Sequence, residues 1–151
     1  MEKTKIDPRE AHRTMVLIWF FILLSQVMFF VLLWFIKPDL MRFDLSEPFV
    51  TEKNFLQILA ATLVSIFSLI ISFVRSKRFL DQAIAEQKIH LVQTALIVGC
   101  VLSDSITLMG VLLTFALDYQ WFFLWFLLGI GSTILHYPSR KNIDAASYKT
   151  L

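Results

Sequence analysis

Apolar residues are gathered into four long blocks that alternate with short polar segments. The blocks cover residues 14–36, 55–74, 91–117 and 121–137. A helix rises about 1.5 Å per residue and the hydrocarbon core of a bilayer is about 30 Å thick, so about 20 apolar residues can cross it. The first, second and fourth blocks contain no Asp, Glu, Lys or Arg. The pattern predicts an all-α integral membrane protein with four transmembrane helices.

Composition supports this class. Hydrophobic residues make up 57% of the chain and charged residues only 17%, which lies outside the usual range of soluble domains. The first block is longer than the apolar part of a signal peptide, and no small-residue cleavage site follows it, so we expect it to be retained. Cys100 is the only cysteine and lies inside the third block, which excludes an intramolecular disulfide and a cysteine-rich metal site.

The distribution of Lys and Arg predicts the orientation in the membrane. Eleven of these residues lie in the segments 1–13, 75–88 and 138–151, and three lie in the segment 37–54. Basic residues in short loops are enriched on the cytoplasmic side. We therefore expect a cytoplasmic N-terminal segment, a cytoplasmic loop between the second and third helices and a short, polar cytoplasmic tail, in the inner (plasma) membrane of a bacterium. Good helix formers in the loop predict that its two helices extend beyond the apolar blocks as a hairpin.

Asp104 is the one acidic residue deep inside an apolar block, and it stands between Ser103 and Ser105. An Asp at the centre of a membrane helix costs roughly 2.5–3.5 kcal/mol, and such residues usually mark proton or ion paths. The position predicts that Asp104 binds a proton or a cation, with the hydroxyl groups of Ser103, Ser105 and Thr107 as further ligands. The alternative is a structural carboxyl group that is hydrogen-bonded to a neighbouring helix and kept protonated by desolvation.

Small and weakly polar residues form one face on each of the second and third helices, at steps of three or four residues. Membrane helices associate through close approach at such residues, so we expect the two faces to pack against each other. The residues are Gln57, Ala61, Ser65, Ser68 and Ser72 on the second helix and Cys100, Ser103, Asp104, Thr107, Gly110 and Thr114 on the third.

Two histidines, His90 and His136, lie near the predicted cytoplasmic ends of the third and fourth helices. We interpret them as interfacial side chains whose rings extend toward the headgroups. A proton relay is the alternative for His136, which shares a helix face with Gly129, Ser132 and Thr133. No histidines have metal-ligand spacing, so neither a metal site nor a cofactor is expected.

The segment 96–117, LIVGCVLSDSITLMGVLLTFAL, resembles the carboxylate-bearing helix of the proteolipid (c) subunit of rotary proton ATPases. In that family one glycine precedes the carboxylate by five residues and another follows it by six, and Gly99, Asp104 and Gly110 have these spacings here. The resemblance implies that Asp104 binds a proton or sodium ion and that copies assemble into a ring. The second helix lacks the dense glycine repeat of the family, and two further helices flank the hairpin.

The sequence therefore predicts a small oligomeric membrane subunit, resembling a rotary ATPase proteolipid, that binds a proton or cation. The alternative is a non-catalytic structural or accessory subunit of a larger membrane complex or homo-oligomer. The expected partners are the lipid bilayer, further copies and other membrane subunits, with no nucleic acid. No nucleophile with a base, paired carboxylate or phosphate-binding loop is present, so no enzyme is expected. A four-helix drug exporter would carry its acidic residue in the first helix. The polar residues in the middle of that block are Ser25 and Gln26, and it contains no Asp or Glu.

Overall fold

The computed structural model describes residues 7–41 and 48–147, and within these residues all regular secondary structure is helical. Five α-helices follow one another in the order α1 (Pro8–Ile36), α2 (Phe55–Glu86), α3 (Ile89–Leu117), α4 (Phe123–Leu135) and α5 (Arg140–Ser147). Short 3-10 turns at Pro38–Met41 and Gln120–Phe122 follow α1 and precede α4.

The first three apolar blocks form helices that are long and apolar enough to cross a membrane, namely α1, α2 and α3. The fourth block forms Gln120–Leu135, and α5 follows it after a bend of 42°. The described chain thus has three helices able to span a membrane, or four if this bent pair is one span. The predicted all-helical, membrane-spanning class is confirmed, and the fourth crossing stays a prediction.

Helix α2 continues well beyond the apolar block to Glu86, so the predicted extension of the hairpin is confirmed. Gln87 ends α2 in the left-handed conformation, with φ of 53°, and α3 begins two residues later. The Gln87 amide Nε2 donates to the carbonyl oxygens of Ile84, at 2.8 Å, and Ala145 of α5, at 3.1 Å. The same side chain therefore closes the turn and holds α5 against it.

Helix α3 lies at the centre of the bundle, because it contacts each of the other four helices. Two apolar clusters are arranged along it. The cluster at the α3–α4 turn contains Leu33, Ile58, Ala61, Ile106, Leu113, Tyr119, Phe122, Trp125 and Phe126. The cluster at the α5 end contains Ala11, Met15, Ala83, Val92, Leu96, Cys100, Ile143 and Ala146.

Helix α5 lies within the segment that the sequence predicts to be a short, polar tail, and it packs against the bundle. Ile143 and Ala146 are 1% and 0% exposed and belong to the cluster at the α5 end. They stand three residues apart and so share one face of a helix. Two apolar residues in a polar segment give a weak compositional signal, but they are enough to dock a short helix onto a surface that α1, α2 and α3 have already formed.

Replacing Ile143 by Ala should loosen α5. We expect a lower thermal unfolding midpoint for the detergent-solubilised protein, because truncating a buried Ile costs about 2–5 kcal/mol. The matched control is Lys141→Ala on the exposed face of α5, which should leave the midpoint unchanged. Equal midpoints for the two variants would contradict the docking of α5 through Ile143.

Candidate functional site

Polar side chains from α1, α2, α3 and α4 meet between the two apolar clusters, and we call this group the polar layer. All its members are buried except Asp104, which is half-buried. The layer consists of Gln26, Ser65, Ser72, Ser103, Asp104, Thr107, Ser132, Thr133 and His136. Because a polar group buried without a partner costs free energy, the bonds of each member indicate what the layer can do.

The close approach of α3 and α4 is set by Gly129. A Cβ atom at this position would overlap Thr107 Oγ1 and would lie 3.0 Å from both the carbonyl oxygen of Ser103 and the backbone nitrogen of Thr107. Only glycine therefore allows the two backbones to reach this distance. The short separation lets the hydroxyl groups of Ser103 and Ser132 meet at 2.6 Å.

His136 is enclosed in the polar layer, so the interpretation of its ring as an interfacial group is wrong. It is 8% exposed, and the space for its ring comes from Gly99, where a Cβ would overlap the imidazole. Nδ1 lies 2.7 Å from the carbonyl oxygen of Ser132, which can only accept, so Nδ1 carries a hydrogen. Nε2 lies 3.1 Å from Ser72 Oγ. The ring also stacks on Phe73, with centroids 4.7 Å apart.

The hydroxyl of Ser72 can form a hydrogen bond with Nε2 of His136 whether the ring is neutral or charged. Ser72 Oγ lies 3.2 Å from the carbonyl oxygen of Gly99 as well as near Nε2. It can donate to Nε2 of a neutral ring, or accept from Nε2–H of a charged ring while donating to Gly99. The side chain thus links α2 to His136 in both states, and it also donates to α3 when the ring is charged.

Asp104 lies on the side of α3 that faces α1, where the side chain of Gln26 is the hydrogen-bonding group beside its carboxyl. Gln26 is fully buried, and its Nε2 donates to Thr133 Oγ1 at 2.8 Å. Two buried oxygens, Asp104 Oδ1 and Gln26 Oε1, have no hydrogen-bond partner in the described part of the chain. The carboxyl group of Asp104 and the neighbouring amide of Gln26 can therefore each accept a further hydrogen bond.

Two of the three predicted co-ligands have hydroxyl groups engaged elsewhere. Ser103 Oγ donates to Gly99 at 2.8 Å and meets Ser132, and half-buried Ser105 donates to the carbonyl oxygen of Leu102 at 2.7 Å. Thr107 Oγ1 is buried without a partner among the described residues. Over the same residues, no group of three or more His, Cys, Asp or Glu side chains could hold a metal ion.

The residues of α2 that were predicted to pack against α3 differ in their burial. Ala61, Ser65 and Ser72 are buried, Ser68 is half-buried and Gln57 is exposed. The direct hydrogen bond from this face to α3 is the one from Ser72 to Gly99.

The glycines of α3 lie against α4. Gly99 lies beneath the His136 ring, and at Gly110 a Cβ would lie 2.9 Å from the Cβ of Trp125 and 3.1 Å from the carbonyl oxygen of Phe122. The small-residue face of α3 therefore accommodates α4 at both of its glycines.

Sequence reasoning missed the contribution of α1 to the site. Gln26 and Trp19 both bond to Thr133, the latter from Nε1 to the backbone carbonyl at 2.7 Å. A glutamine in the middle of an uncharged apolar block needs a partner much as an acid does, and that signal was present in the sequence.

No protein-family model, no curated protein and no solved structure matches this chain. Evidence on function therefore comes from the side chains of the polar layer.

Replacing Gly129 by Ala should destabilise the bundle. The added methyl group would press on the backbone of α3 as well as on Thr107, and overpacking of this kind costs about 1–3 kcal/mol. Gly131, two residues further along α4, is the matched control, because a Cβ there meets no atom within 4 Å. In thermal unfolding of the detergent-solubilised protein, Gly129→Ala should lower the midpoint and Gly131→Ala should not. A similar midpoint for both would argue against the close contact of α3 and α4.

Proposed function

We propose that this protein is a small membrane subunit that binds and releases a proton at Asp104. The observation that supports the proposal best is the unpartnered, buried oxygen of a carboxyl group in a helix that can span a membrane. Intramembrane carboxyl groups are costly and usually functional. Its half-buried position leaves a route to a proton donor or acceptor outside the polar layer.

The amide of Gln26 suits both protonation states of Asp104. Its Nε2 carries two hydrogens, of which one is used by Thr133, so the other is available to a carboxylate. Its Oε1 has no partner among the described residues and is available to the O–H of a protonated carboxyl. The neighbouring group therefore does not fix Asp104 in one form.

A proton is favoured over a cation because Asp104 is the only carboxyl group of the polar layer. A hard cation in a protein takes several oxygen ligands at once. The other members of the polar layer have hydroxyl, amide and imidazole groups, which supply no negative charge to balance a cation. A proton needs a single carboxyl oxygen, which Asp104 supplies.

The proposal includes an orientation and an assembly. Both termini lie on the cytoplasmic side of a bacterial inner membrane, as supported by the concentration of Lys and Arg in segments 1–13, 75–88 and 138–151. Several copies associate, as supported by the resemblance of segment 96–117 to the rotary proteolipid helix. In such an assembly each copy contributes one carboxyl group.

The second candidate is a non-catalytic structural or accessory subunit, in which Asp104 stays neutral and joins α3 to α1. The observation that favours it is the full burial of Gln26 against Asp104 within a single chain. In that role the carboxyl keeps one protonation state at every working pH.

Infrared spectroscopy of the reconstituted protein separates the two candidates. A protonated carboxyl group has a C=O stretch that a carboxylate lacks, and Asp104→Asn should remove the component that belongs to Asp104. We expect this component to disappear reversibly as the pH rises. The matched control is Asp81→Asn, on the exposed part of α2, which should leave the component in place. A component that does not change with pH would support the structural role.

Proton flux into vesicles under an imposed membrane potential gives a second test. Asp104→Asn should reduce the flux to that of protein-free vesicles, whereas Asp81→Asn should retain it. Circular dichroism of both variants should match the original protein, since Asn fits the volume of Asp. Undiminished flux through the Asp104→Asn variant would overturn the proposal.

A further inference from the structure

A cavity of about 210 Å³ opens where the end of α2, the start of α3 and the bend between α4 and α5 meet. Its walls include Phe73, Leu80, Val92, Leu96 and Leu135. Polar side chains come from α2, from the α4–α5 bend and from α5, namely Ser76, Lys77, Ser139 and Asn142, and the lining also includes His136, Tyr137 and Pro138. The cavity thus has an apolar side and a side rich in hydrogen-bond donors.

Four polar side chains of the cavity make no hydrogen bond or ion pair in the described part of the chain. Within the described residues the side chains of Lys77, Ser76, Ser139 and Asn142 have no hydrogen-bond or ion-pair partner. Lys77 supplies a positive charge, and the lining contains no Asp or Glu. Hydroxyl, amide and ammonium donors around one space suit a phosphate group.

The place of the cavity along the bundle indicates the rest of the ligand. Phe73 and Leu135 lie near the ends of their apolar blocks, and both expose large surfaces, 40% for Phe73 and 73% for Leu135. Lys77 stands one helical turn beyond Phe73, on the side of the polar hairpin. A ligand whose phosphate contacts Lys77 therefore has its apolar part beside Phe73 and Leu135.

We propose that this cavity binds the headgroup of an anionic phospholipid. The phosphate contacts Lys77, Ser76, Ser139 and Asn142, and an acyl chain runs along Phe73 and Leu135. Cavities with basic side chains between membrane helices can bind acidic headgroups. Since α5 forms one wall through Asn142, a bound lipid also holds α5 against the bundle. The site is separate from Asp104 and does not depend on the proposed proton binding.

The test uses the full-length protein in a zwitterionic detergent, with binding of phosphatidylglycerol followed by native mass spectrometry. Lys77→Gln should weaken the binding about five-fold, because one cation near a membrane surface contributes about 1 kcal/mol. The matched control is Arg78→Gln, which removes the same charge from the same helix outside the cavity and should bind as the original does. Asn142→Leu should also weaken binding, without a change of charge.

Three outcomes would overturn the proposal. Equal losses of phosphatidylglycerol binding in Lys77→Gln and Arg78→Gln would show that the lipid responds to the overall surface charge and not to the cavity. Retention of phosphatidylcholine as strong as that of phosphatidylglycerol would remove the selectivity for an anionic headgroup. Competition by inorganic phosphate at equal affinity would make a soluble anion the ligand. Lys77 and Arg78 are both exposed, so neither variant should unfold the protein, and the Asp104→Asn variant should bind the lipid normally.

Discussion

The structure depends on one constraint, which is that polar groups in a bilayer must find partners inside the protein. The polar layer meets this constraint by bringing four helices to one level. Thr133 of α4 accepts a hydrogen bond from the Gln26 amide at its hydroxyl and one from the Trp19 indole N–H at its backbone carbonyl. The imidazole of His136 is hydrogen-bonded to the Ser72 hydroxyl and to the carbonyl oxygen of Ser132. Each of these bonds joins two helices or fixes a side chain that does so. The apolar clusters on either side of the layer fill the remaining space.

Glycine makes the polar layer geometrically possible. At Gly99 and Gly129 a side chain would overlap the partner helix, so the hydroxyl groups and the imidazole can meet only because these positions have none. Van der Waals packing and interhelical hydrogen bonds are the forces that associate helices in lipid, where the hydrophobic effect between them is absent. Both forces require short interhelical distances, and α4 obtains them although it is only 13 residues long.

Four members of the polar layer have a side-chain oxygen without a hydrogen-bond partner in the described part of the chain, namely Gln26, Ser65, Asp104 and Thr107. Ser72, Ser103, Ser132, Thr133 and His136 have defined hydrogen-bond partners. A fully satisfied group is rigid, and an unsatisfied one can gain from a proton. Among the four residues with an unpartnered oxygen, only Asp104 has an ionisable carboxyl group, which supports the proton binding proposed for it. Leu135 of α4 lines the cavity near Lys77, and Thr133 of α4 bonds to Gln26 beside Asp104, so α4 contributes to the surroundings of both proposed sites.

The sequence by itself determined the four apolar helices and the singular position of Asp104, because the length of an apolar block and the cost of a buried charge are local properties. It also marked Gly99 and Gly110 as positions of close approach. The tertiary structure alone decided that Gly99 faces His136, that Gln26 accompanies Asp104 and that Ile143 docks α5. Every face of an apolar helix can meet either lipid or protein, and sequence periodicity does not distinguish between them. The choice is made by the shapes and hydrogen-bonding groups of helices that are distant in the chain.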